Sequence, residues 1–296
     1  MTSATARLTV PDQLPGVELS EVGAYLKMLV YGPQGGGKTR FALTFCHDPR
    51  SAPVVWLDAT GGTTAVQDEA RATGAAFRSM GDAEGVIAYT NWLVAKQGGG
   101  FKTLVLDDFS EAFSITKGVV ARATGKASAA ELDPRDHGKL YERVLRVYRA
   151  LRKVAEPVEA GGAGMHVLVT CWSEQKPRPS GGKDDLWWVP AFAGGFGARS
   201  AGYFDIVTYM GARIAKDRTP DGKGVVKQFR NYFVGMSDDH LVKDRFDEIG
   251  AELAMPTATM MLDALDRRRA RIARDGIAAV TGIPYTKGHT NGKATE

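Results

Sequence analysis

One glycine-rich stretch constrains the fold of this chain more than any other feature. Residues 27 to 45 read KMLVYGPQGGGKTRFALTF: an apolar run stops at a group of glycines, a Lys-Thr pair follows, and apolar residues resume at a different spacing. This order predicts a buried strand, a tight loop and the start of a helix. Because strands that alternate with helices imply right-handed crossovers, the sequence predicts an α/β fold with a mostly parallel central sheet flanked by helices.

The glycine loop has the composition of a phosphate-binding site. Its residues fit the pattern G-x-x-x-x-G-K-[ST], in which glycines let successive backbone N–H groups turn toward phosphate oxygens. We expect Lys38 to reach the β- and γ-phosphates of ATP and the Thr39 hydroxyl to bind Mg²⁺. The residues predicted to contact the nucleotide are Gly32, Pro33, Gln34, Gly35, Gly36, Gly37, Lys38, Thr39 and Arg40.

Such a loop requires an acidic partner at the end of a neighbouring strand. The run TLVLDD supplies Asp107, whose carboxylate is expected to hold the Mg²⁺ water shell or the Thr39 hydroxyl, while Asp108 is expected to point elsewhere. Thr170, at the end of the run LVTCW, is a candidate sensor of the γ-phosphate. A hydroxyl whose hydrogen bonds are satisfied within the sheet is the alternative explanation of Thr170.

Hydrolysis further requires a carboxylate that orients the attacking water. The candidates are Asp58 at the end of VVWLD, Asp108, and Glu111 shortly after it. The residue types alone do not choose between these three.

Other apolar runs extend the α/β pattern along the chain. Strands are predicted over residues 25 to 32, 52 to 59, 101 to 108, 165 to 172 and 203 to 214, and helices over 38 to 46, 82 to 97 and 136 to 155. A Pro-Asp-Gly turn between alternating segments predicts a late β-hairpin, followed by a basic C-terminal helix. The predicted domains are a flexible leader (1–22), a nucleotide-binding core (23–256), the basic helix (257–283) and a disordered tail (284–296).

Composition narrows the class of protein. The chain has 296 residues, 44% of them hydrophobic, which is enough for a large core. Its two cysteines lie in apolar runs, which argues against a disulfide framework or a cysteine-rich zinc site. No apolar run reaches the roughly 18 residues of a membrane helix, so we expect a cytoplasmic protein with no membrane partner. The net charge of +4 mildly favours a polyanionic partner.

Several motifs, taken in order, resemble one family. After YGPQGGGKT come VVWLDATGG, TLVLDDFSEAF, HVLVTCW, GYFDIVTYM and HLVKDRF. Over about residues 24 to 255, this order resembles the RecA-like core ATPases of bacteriophages, the Sak-type single-strand annealing proteins of the phage nucleotide-binding AAA group. The resemblance implies a RecA-like P-loop NTPase fold in the cytoplasm of a bacterial host, and a homo-oligomeric ring or filament on single-stranded DNA. A single-strand-binding protein is a further expected partner.

The resemblance also implies roles for individual residues. Lys38 and Thr39 match the phosphate-binding pair, Asp107 the aspartate on the Mg²⁺ side, and Thr170 the polar residue before a DNA-facing loop. In many relatives the second strand ends in Asp-x-Glu-Gly, and the Glu is the base that orients water. In this chain Thr60 stands at that position. The departure predicts either that another carboxylate substitutes or that ATP is turned over slowly.

The resemblance also implies a contact between subunits. Lys243 and Arg245 in VKDR match a motif that, in RecA-like assemblies, reaches the γ-phosphate of a neighbouring subunit. A solvated turn that contacts no nucleotide is the alternative for both residues.

The segment after Thr170, residues 173 to 202, has the composition of a single-strand-binding loop. It mixes basic with aromatic residues, and phosphate neutralisation plus base stacking is how proteins bind single strands without regard to sequence. Packing of the tryptophans onto the core is the alternative. The residues predicted to contact DNA are Lys176, Arg178, Lys183, Trp187, Trp188 and Arg199.

These observations favour an ATPase that binds single-stranded DNA and promotes annealing or strand exchange in phage-type recombination. Two alternatives remain open at this point. One is an ATP-gated DNA loader or scaffold with little hydrolysis, which Thr60 favours; the other is a small-molecule P-loop kinase whose lid would be the segment after Thr170.

Overall fold

The computed structural model describes residues 24–178, 184–192, 196–218, 225–235, 237–247 and 249–275, with residues 196, 198, 215–218, 225–230 and 275 described by their backbone alone. The strands are β1 (Lys27–Tyr31), β2 (Val54–Asp58), β3 (Ala76–Ser79), β4 (Thr103–Asp107), β5 (His166–Cys171), β6 (Ser173–Pro177), β7 (Leu186–Pro190), β8 (Ile206–Arg218), β9 (Val225–Val234), β10 (Lys243–Asp244) and β11 (Glu252–Ala254). The α-helices are α1 (Lys38–Leu43), α2 (Gln67–Ala72), α3 (Ala83–Ala95), α4 (Phe109–Ala123), α5 (Pro134–Val154), α6 (Phe196–Ser200) and α7 (Ala258–Asp275).

A central sheet organises these elements. Its strand order is β11-β9-β8-β1-β5-β4-β2-β3, and the strands from β8 to β3 run parallel. Strands β9, β10 and β11 add antiparallel pairs at one side. Because parallel strands place their carboxyl ends at one edge, the last residues of β1, β4 and β5 meet there. The nucleotide loop follows β1 at this same edge.

Helices cover both faces of the sheet. One buried cluster joins α3, α4 and α5 to the face that carries Leu29, Leu106 and Val169. The other joins α1, α2 and α7 to the face that carries Val30 and Val105. Since β1, β2, β4 and β5 are buried on both faces, their sequences are continuous apolar runs without alternation.

Local sequence explains where the long helix α5 begins and which side it buries. Asp133 is its N-cap and forms a capping box with Asp136, and Pro134 occupies the first turn, where its missing N–H costs no hydrogen bond. The buried stripe contains Leu140, Val144, Val147 and Leu151, spaced three or four residues apart. This is the stripe that the sequence predicts.

The predicted architecture is confirmed: a mostly parallel central sheet with flanking helices, a late hairpin (β8 and β9) and a C-terminal helix (α7). The leader, the Pro-Asp-Gly turn and the tail lie outside the described residues, so the predicted domain boundaries stay predictions. Among the described helices, none combines the length and apolar character that a bilayer crossing requires.

Candidate nucleotide-binding site

The glycine loop lies between the end of β1 and the start of α1, packed against the first residues of the hairpin β8–β9. A Cβ atom at Gly32 would collide with the carbonyl oxygen of Met210, and one at Gly37 would collide with the side-chain amide of Asn231. Gly37, the N-cap of α1, also has a φ of 93°, in the left-handed region that favours glycine. The backbone therefore needs glycine at both positions.

Lys38 is the buried cation of this loop. Its Nζ donates hydrogen bonds to the carbonyl oxygens of Gly32 (3.0 Å) and Pro33 (2.9 Å). Burial lowers the pKa of the Lys38 ammonium, while the carboxylates of Asp108 and Asp107 act in the opposite direction. The ammonium is thus poorly solvated and lies among acceptors that phosphate oxygens can replace.

The Asp107 carboxylate connects the loop to the neighbouring strands. It accepts a hydrogen bond from the Thr39 hydroxyl at 2.9 Å through Oδ2 and another from the Thr170 hydroxyl through Oδ1. Burial raises the pKa of Asp107, and the hydrogen bonds from Thr170 and Thr39 and the charge of Lys38 oppose that rise. The structure therefore brings together Lys38, Thr39, Asp107 and Thr170, four of the residues that the sequence predicts for the site.

Asp108 lies at the same site, and the expectation that it points elsewhere is wrong. Its carboxylate caps α4 by accepting from the backbone N–H of Ser110 at 2.7 Å, and it exerts the largest charge effect on Lys38, ahead of Asp107. Burial raises the pKa of Asp108 to about 7, against the opposing effects of the Ser110 hydrogen bond and the Lys38 charge.

Asp58 is also buried at this edge, but its own loop uses its carboxylate. Oδ1 accepts from the backbone N–H groups of Thr60 (3.0 Å) and Gly61 (2.8 Å), and Oδ2 accepts from the Thr63 hydroxyl. The Thr60 hydroxyl lies 3.3 Å from Asp58 Oδ1 and accepts from the N–H of Gly62 at 2.9 Å. Thr60 therefore helps to close the loop after β2.

Two other predicted site residues, Glu111 and Arg40, differ in whether their charged groups have partners. Glu111 lies in the first turn of α4, and within the described part of the chain its carboxylate has no hydrogen-bond or ion-pair partner. Arg40 is exposed on α1 and pairs with Glu69 at 3.4 Å. The arginine side chain is thus directed to α2 in this structure, whereas Glu111 keeps both oxygens available.

A two-stranded hairpin, β6–β7, follows the strand that carries Thr170. Its register pairs Gln175 with Trp188 and Lys176 with Trp187. Arg178 lies over the Trp187 ring, 5.4 Å from its centroid, and pairs with Asp185 at 3.2 Å. Trp188 packs toward Tyr209, with ring centroids 6.1 Å apart. One tryptophan therefore contacts the core, and the other lies beside a cation.

The remaining residues predicted to contact DNA have local partners. Lys176 pairs with Glu174 at 2.6 Å and donates to the carbonyl oxygen of Phe192 at 2.6 Å. Arg199 is exposed on α6, 3.4 Å from the Tyr141 hydroxyl. Lys183 lies outside the described residues.

Two contacts that the sequence does not reveal join this hairpin to the nucleotide site. The hydroxyl of Tyr31, the residue before the glycine loop, lies 3.0 Å from the carbonyl oxygens of Trp188 and Leu241. The Ser110 hydroxyl accepts from the backbone N–H of Trp172 at 2.9 Å. Both depend on which strands become neighbours, and no short motif encodes that. Asn231, which contacts Gly37 from β9, escapes a sequence search for the same reason.

Lys243 and Arg245 lie at the opposite end of β1 from the glycine loop. Lys243 Nζ donates to the carbonyl oxygen of Ala201 at 2.6 Å, and burial lowers its pKa. Arg245 pairs at 3.1 Å with the buried carboxylate of Asp205, which also pairs with Lys27 at 2.8 Å. The motifs FD and KDR therefore meet in one ion-pair network, and the role of this pair in a neighbouring subunit stays a prediction.

Comparisons with known proteins assign this chain to a family. Residues 24–251 match the family described as AAA domain. Among solved structures, the chain is similar to the RadB recombinase, with 16% identity and a TM-score of 0.45 over 78% of this chain and 86% of that one. It is also similar to an ATPase from the type III secretion system of pathogenic bacteria, with 12% identity and a TM-score of 0.42 over 68% of this chain and 56% of that one. Curated proteins gave no significant match. The chain belongs to the AAA domain family.

Proposed function

We propose that this AAA domain protein binds ATP with Mg²⁺, hydrolyses it, and uses the nucleotide to control binding of single-stranded DNA during annealing or strand exchange. One observation carries the proposal most directly. Thr39 of the glycine loop, Asp107 of β4 and Thr170 of β5 form a continuous chain of hydrogen bonds, and β5 leads after one residue into the basic and aromatic hairpin β6–β7. A nucleotide that contacts the loop therefore acts on the strand that carries the hairpin.

The residues present fit a magnesium nucleotide. The glycine backbone, the start of α1 and the Lys38 ammonium offer donors to phosphate oxygens. The Thr39 hydroxyl and the Asp107 carboxylate are oxygen ligands suited to Mg²⁺. Among the described residues, no group of three or more His, Cys, Asp or Glu side chains is placed to hold a metal ion. When bound, Mg²⁺ neutralises charge that develops on the phosphate oxygens.

Hydrolysis requires a carboxylate whose oxygens can orient water. The Asp58 carboxylate already accepts hydrogen bonds from its own loop, whereas Glu111 has no partner within the described residues. We therefore assign the water-orienting role to Glu111 ahead of Asp58, and to Asp58 a role in holding the loop. Lys38 holds the phosphates, and Thr170 orients Asp107 through its hydrogen bond.

The hairpin β6–β7 is the proposed DNA contact. Arg178 and Trp187 combine a cation with an aromatic surface, and Lys176 and Arg199 add charge nearby. The contacts from Tyr31 to the Trp188 carbonyl and from Ser110 to Trp172 connect the ends of β1 and β4 to this hairpin. Movement of the loop on nucleotide binding thus changes hydrogen bonds that position the hairpin. Lys243 and Arg245 are proposed to act between the subunits of a homo-oligomer.

The test is binding of labelled single-stranded DNA across a salt series, with and without ATP and Mg²⁺. For single strands the logarithm of affinity should fall with the logarithm of salt by about 0.7 for each phosphate contact. Lys38→Ala is expected to abolish ATP binding and the effect of ATP on DNA binding, while Lys139→Ala, an exposed lysine on α5, should change neither. Absence of DNA binding at low salt with ATP and Mg²⁺ would overturn the proposal.

A second function, an ATP-gated DNA loader or scaffold with little hydrolysis, is favoured by one observation. Thr60 replaces the expected Glu, and both oxygens of Asp58 are used within the loop. ATP turnover equal to that of Lys38→Ala, with or without DNA, would select this second function. Turnover that falls selectively in Glu111→Gln would select the ATPase.

A further inference from the structure

The hairpin β8–β9 extends far beyond the sheet. Strand β8 pairs with β1 only as far as Tyr209, and β11 pairs with β9 only at residues 232–234. The pairing between β8 and β9 nevertheless continues to Arg218 opposite Val225. Residues 211–218 and 225–231 therefore form a two-stranded arm, roughly 25 Å long at about 3.3 Å per residue. The arm begins beside the glycine loop, because Met210 and Asn231 contact Gly32 and Gly37.

This arm carries a charge that is out of proportion to its size. Within residues 213–218 and 225–230, five residues are basic and one is acidic, a net charge of +4. The whole chain also has a formal net charge of +4, so the remaining residues sum to zero. The five basic residues are Arg213, Lys216, Arg218, Lys227 and Arg230. A positive potential is therefore concentrated on one projecting element.

The pairing register divides these residues between two faces. Residues paired across an antiparallel ladder share a face, and successive pairs alternate. One face contains Arg213 opposite Arg230, and there Arg213 pairs with Glu252 at 2.6 Å. The other face, called here the basic-aromatic face, contains no acidic residue among its described pairs. Its members are Ala212 opposite Asn231, Ile214 opposite Phe229, Lys216 opposite Lys227, and Arg218 opposite Val225.

Two features of the basic-aromatic face favour an anionic partner with stackable rings. Lys216 and Lys227 occupy directly opposite positions of the register, and like charges at opposite positions destabilise a strand pair. Next to them are Phe229 and Ile214, and Ile214 is 55% exposed. Cations beside aromatic and apolar residues are the chemistry of single-strand binding, where phosphates are neutralised and bases stack.

The position of this face relates it to the nucleotide site. Asn231, on the same face at the base of the arm, contacts Gly37, and Phe233, two residues further, packs on Phe41 of α1 with ring centroids 4.7 Å apart. The basic-aromatic face thus continues the surface that packs against the glycine loop and α1. A strand bound to it would start from the edge of the sheet where hairpin β6–β7 also lies.

We propose that the basic-aromatic face of the β8–β9 arm is a second contact for single-stranded nucleic acid, separate from hairpin β6–β7. This inference rests on the proposed function. The register places three basic residues (Lys216, Arg218 and Lys227) and one aromatic residue (Phe229) on this face, and these residue types are the ones that neutralise phosphates and stack on bases. With one contact on the arm and one on β6–β7, a single strand passes along the edge that carries the nucleotide.

The first experiment compares two variants with the same charge change. The arm variant is Lys216→Gln, Arg218→Gln and Lys227→Gln together; the control is Arg146→Gln, Arg149→Gln and Arg152→Gln on α5, each paired with a glutamate. A labelled oligothymidylate is titrated at several salt concentrations, and at low salt the arm variant should bind it more weakly than the wild type does. Its salt slope should shrink by about 2, at about 0.7 per lost phosphate contact, and the control slope should stay unchanged. Equal slopes in the arm variant, the control and the wild type would overturn the inference.

The second experiment needs no substitution. Acetylation of lysines in the wild-type protein, read by mass spectrometry, should slow at Lys216 and Lys227 when the oligonucleotide is bound and stay constant at Lys139 and Lys96. Unchanged acetylation of the arm at saturating DNA would overturn the inference even if the variants aggregate. If the wild type binds no single strand, the proposed function fails; if it binds and the arm is neither protected nor required, only the arm proposal fails.

Discussion

At the scale of single residues, Thr170 determines how completely the Asp107 carboxylate is hydrogen-bonded. Thr170→Val removes a donor that lowers the pKa of this buried group, so its pKa should rise further. We expect a loss of about 1 to 3 kcal/mol in the free energy of unfolding and weaker Mg²⁺-dependent ATP binding that recovers as the pH rises. Urea denaturation and nucleotide titration at several pH values measure both, with Thr170→Ser as the control that keeps the hydroxyl. A valine variant with wild-type values in both assays would contradict this account.

The contact between Gly37 and Asn231 gives a second prediction at this scale. Gly37→Ala should cost about 1 to 2 kcal/mol, because its φ of 93° is strained for alanine and its Cβ meets the Asn231 amide. In an Asn231→Ala background the cost should be smaller but not zero, since only the collision is relieved. Gly81→Ala, where the added Cβ has open space, is the control. Identical costs in both backgrounds, measured by thermal denaturation, would show that the two residues are not coupled.

The residues of the site differ in how far the sequence predicts them. The glycine loop, Lys38, Thr39 and Asp107 are predictable because their spacing is local or follows a strand end. Asp108 and Asn231 are not, since the first is defined by its proximity to Lys38 of another element and the second by the hairpin register. The part of Thr60 in closing the Asp58 loop is not predictable either, because it depends on the local geometry of that turn.

At the scale of elements, β5 begins with a buried histidine whose protonation opposes folding. His166 Nδ1 accepts from the backbone N–H of Leu26 at 3.1 Å, and burial, then the charge of Arg269, lowers its pKa to about 4. Asp266 and Asp48 act in the opposite direction, and Arg50 acts with Arg269.

The unfolded chain, with an ordinary histidine pKa near 6.5, therefore takes up this proton first as the pH falls. Stability should be full above about pH 6.5 and fall by roughly 3 kcal/mol by about pH 4. His166→Asn, which keeps an acceptor, should remove this part of the decline, whereas the exposed His137→Asn should not. Urea denaturation from pH 7 to pH 4 measures this pH dependence of the free energy of unfolding. If the free energy falls equally with pH in the wild type and in His166→Asn, the decline does not come from His166.

Element prediction succeeded where burial produces a simple pattern. The central residues of strands β1, β2, β4 and β5 form continuous apolar runs because both faces are covered. Strand β3 is not among the predicted strands, because it is an edge strand of four residues, none of them fully buried. Helix α4 is not among the predicted helices either, although its buried side includes Phe109, Phe113 and Val120.

At the scale of the whole molecule, the ion-pair network at Asp205 connects three distant parts of the chain. Its carboxylate is buried between Lys27 at the start of β1 and Arg245 after β10. Asp205→Asn should cost about 3 to 5 kcal/mol, because it leaves a largely buried cation without its partner. Arg245→Ala should cost at most about 1 kcal/mol, since that side chain is 48% exposed. Equal losses in the two variants would contradict this description.

The weak contribution of Arg245 to stability allows its proposed role between subunits to be tested. Arg245→Ala and Lys38→Ala should each be inactive alone, and mixing them should restore part of the ATP turnover. Some interfaces in the mixture then combine an intact Lys38 with an intact Arg245 from the neighbour. Full turnover by Arg245→Ala alone would show that the residue serves only the Asp205 network.

The position of β1 in the sheet has a consequence for how the protein is made. Both strands that pair with β1, namely β5 and β8, follow it by a long stretch of chain. A ribosome releases the glycine loop early, but β1 gains its first neighbouring strand only when β5 is made and its second only when β8 is made. The site around the glycine loop is therefore among the last parts to form. A chain truncated after β5 would carry the complete glycine motif but would lack Met210 and Asn231, which contact Gly32 and Gly37.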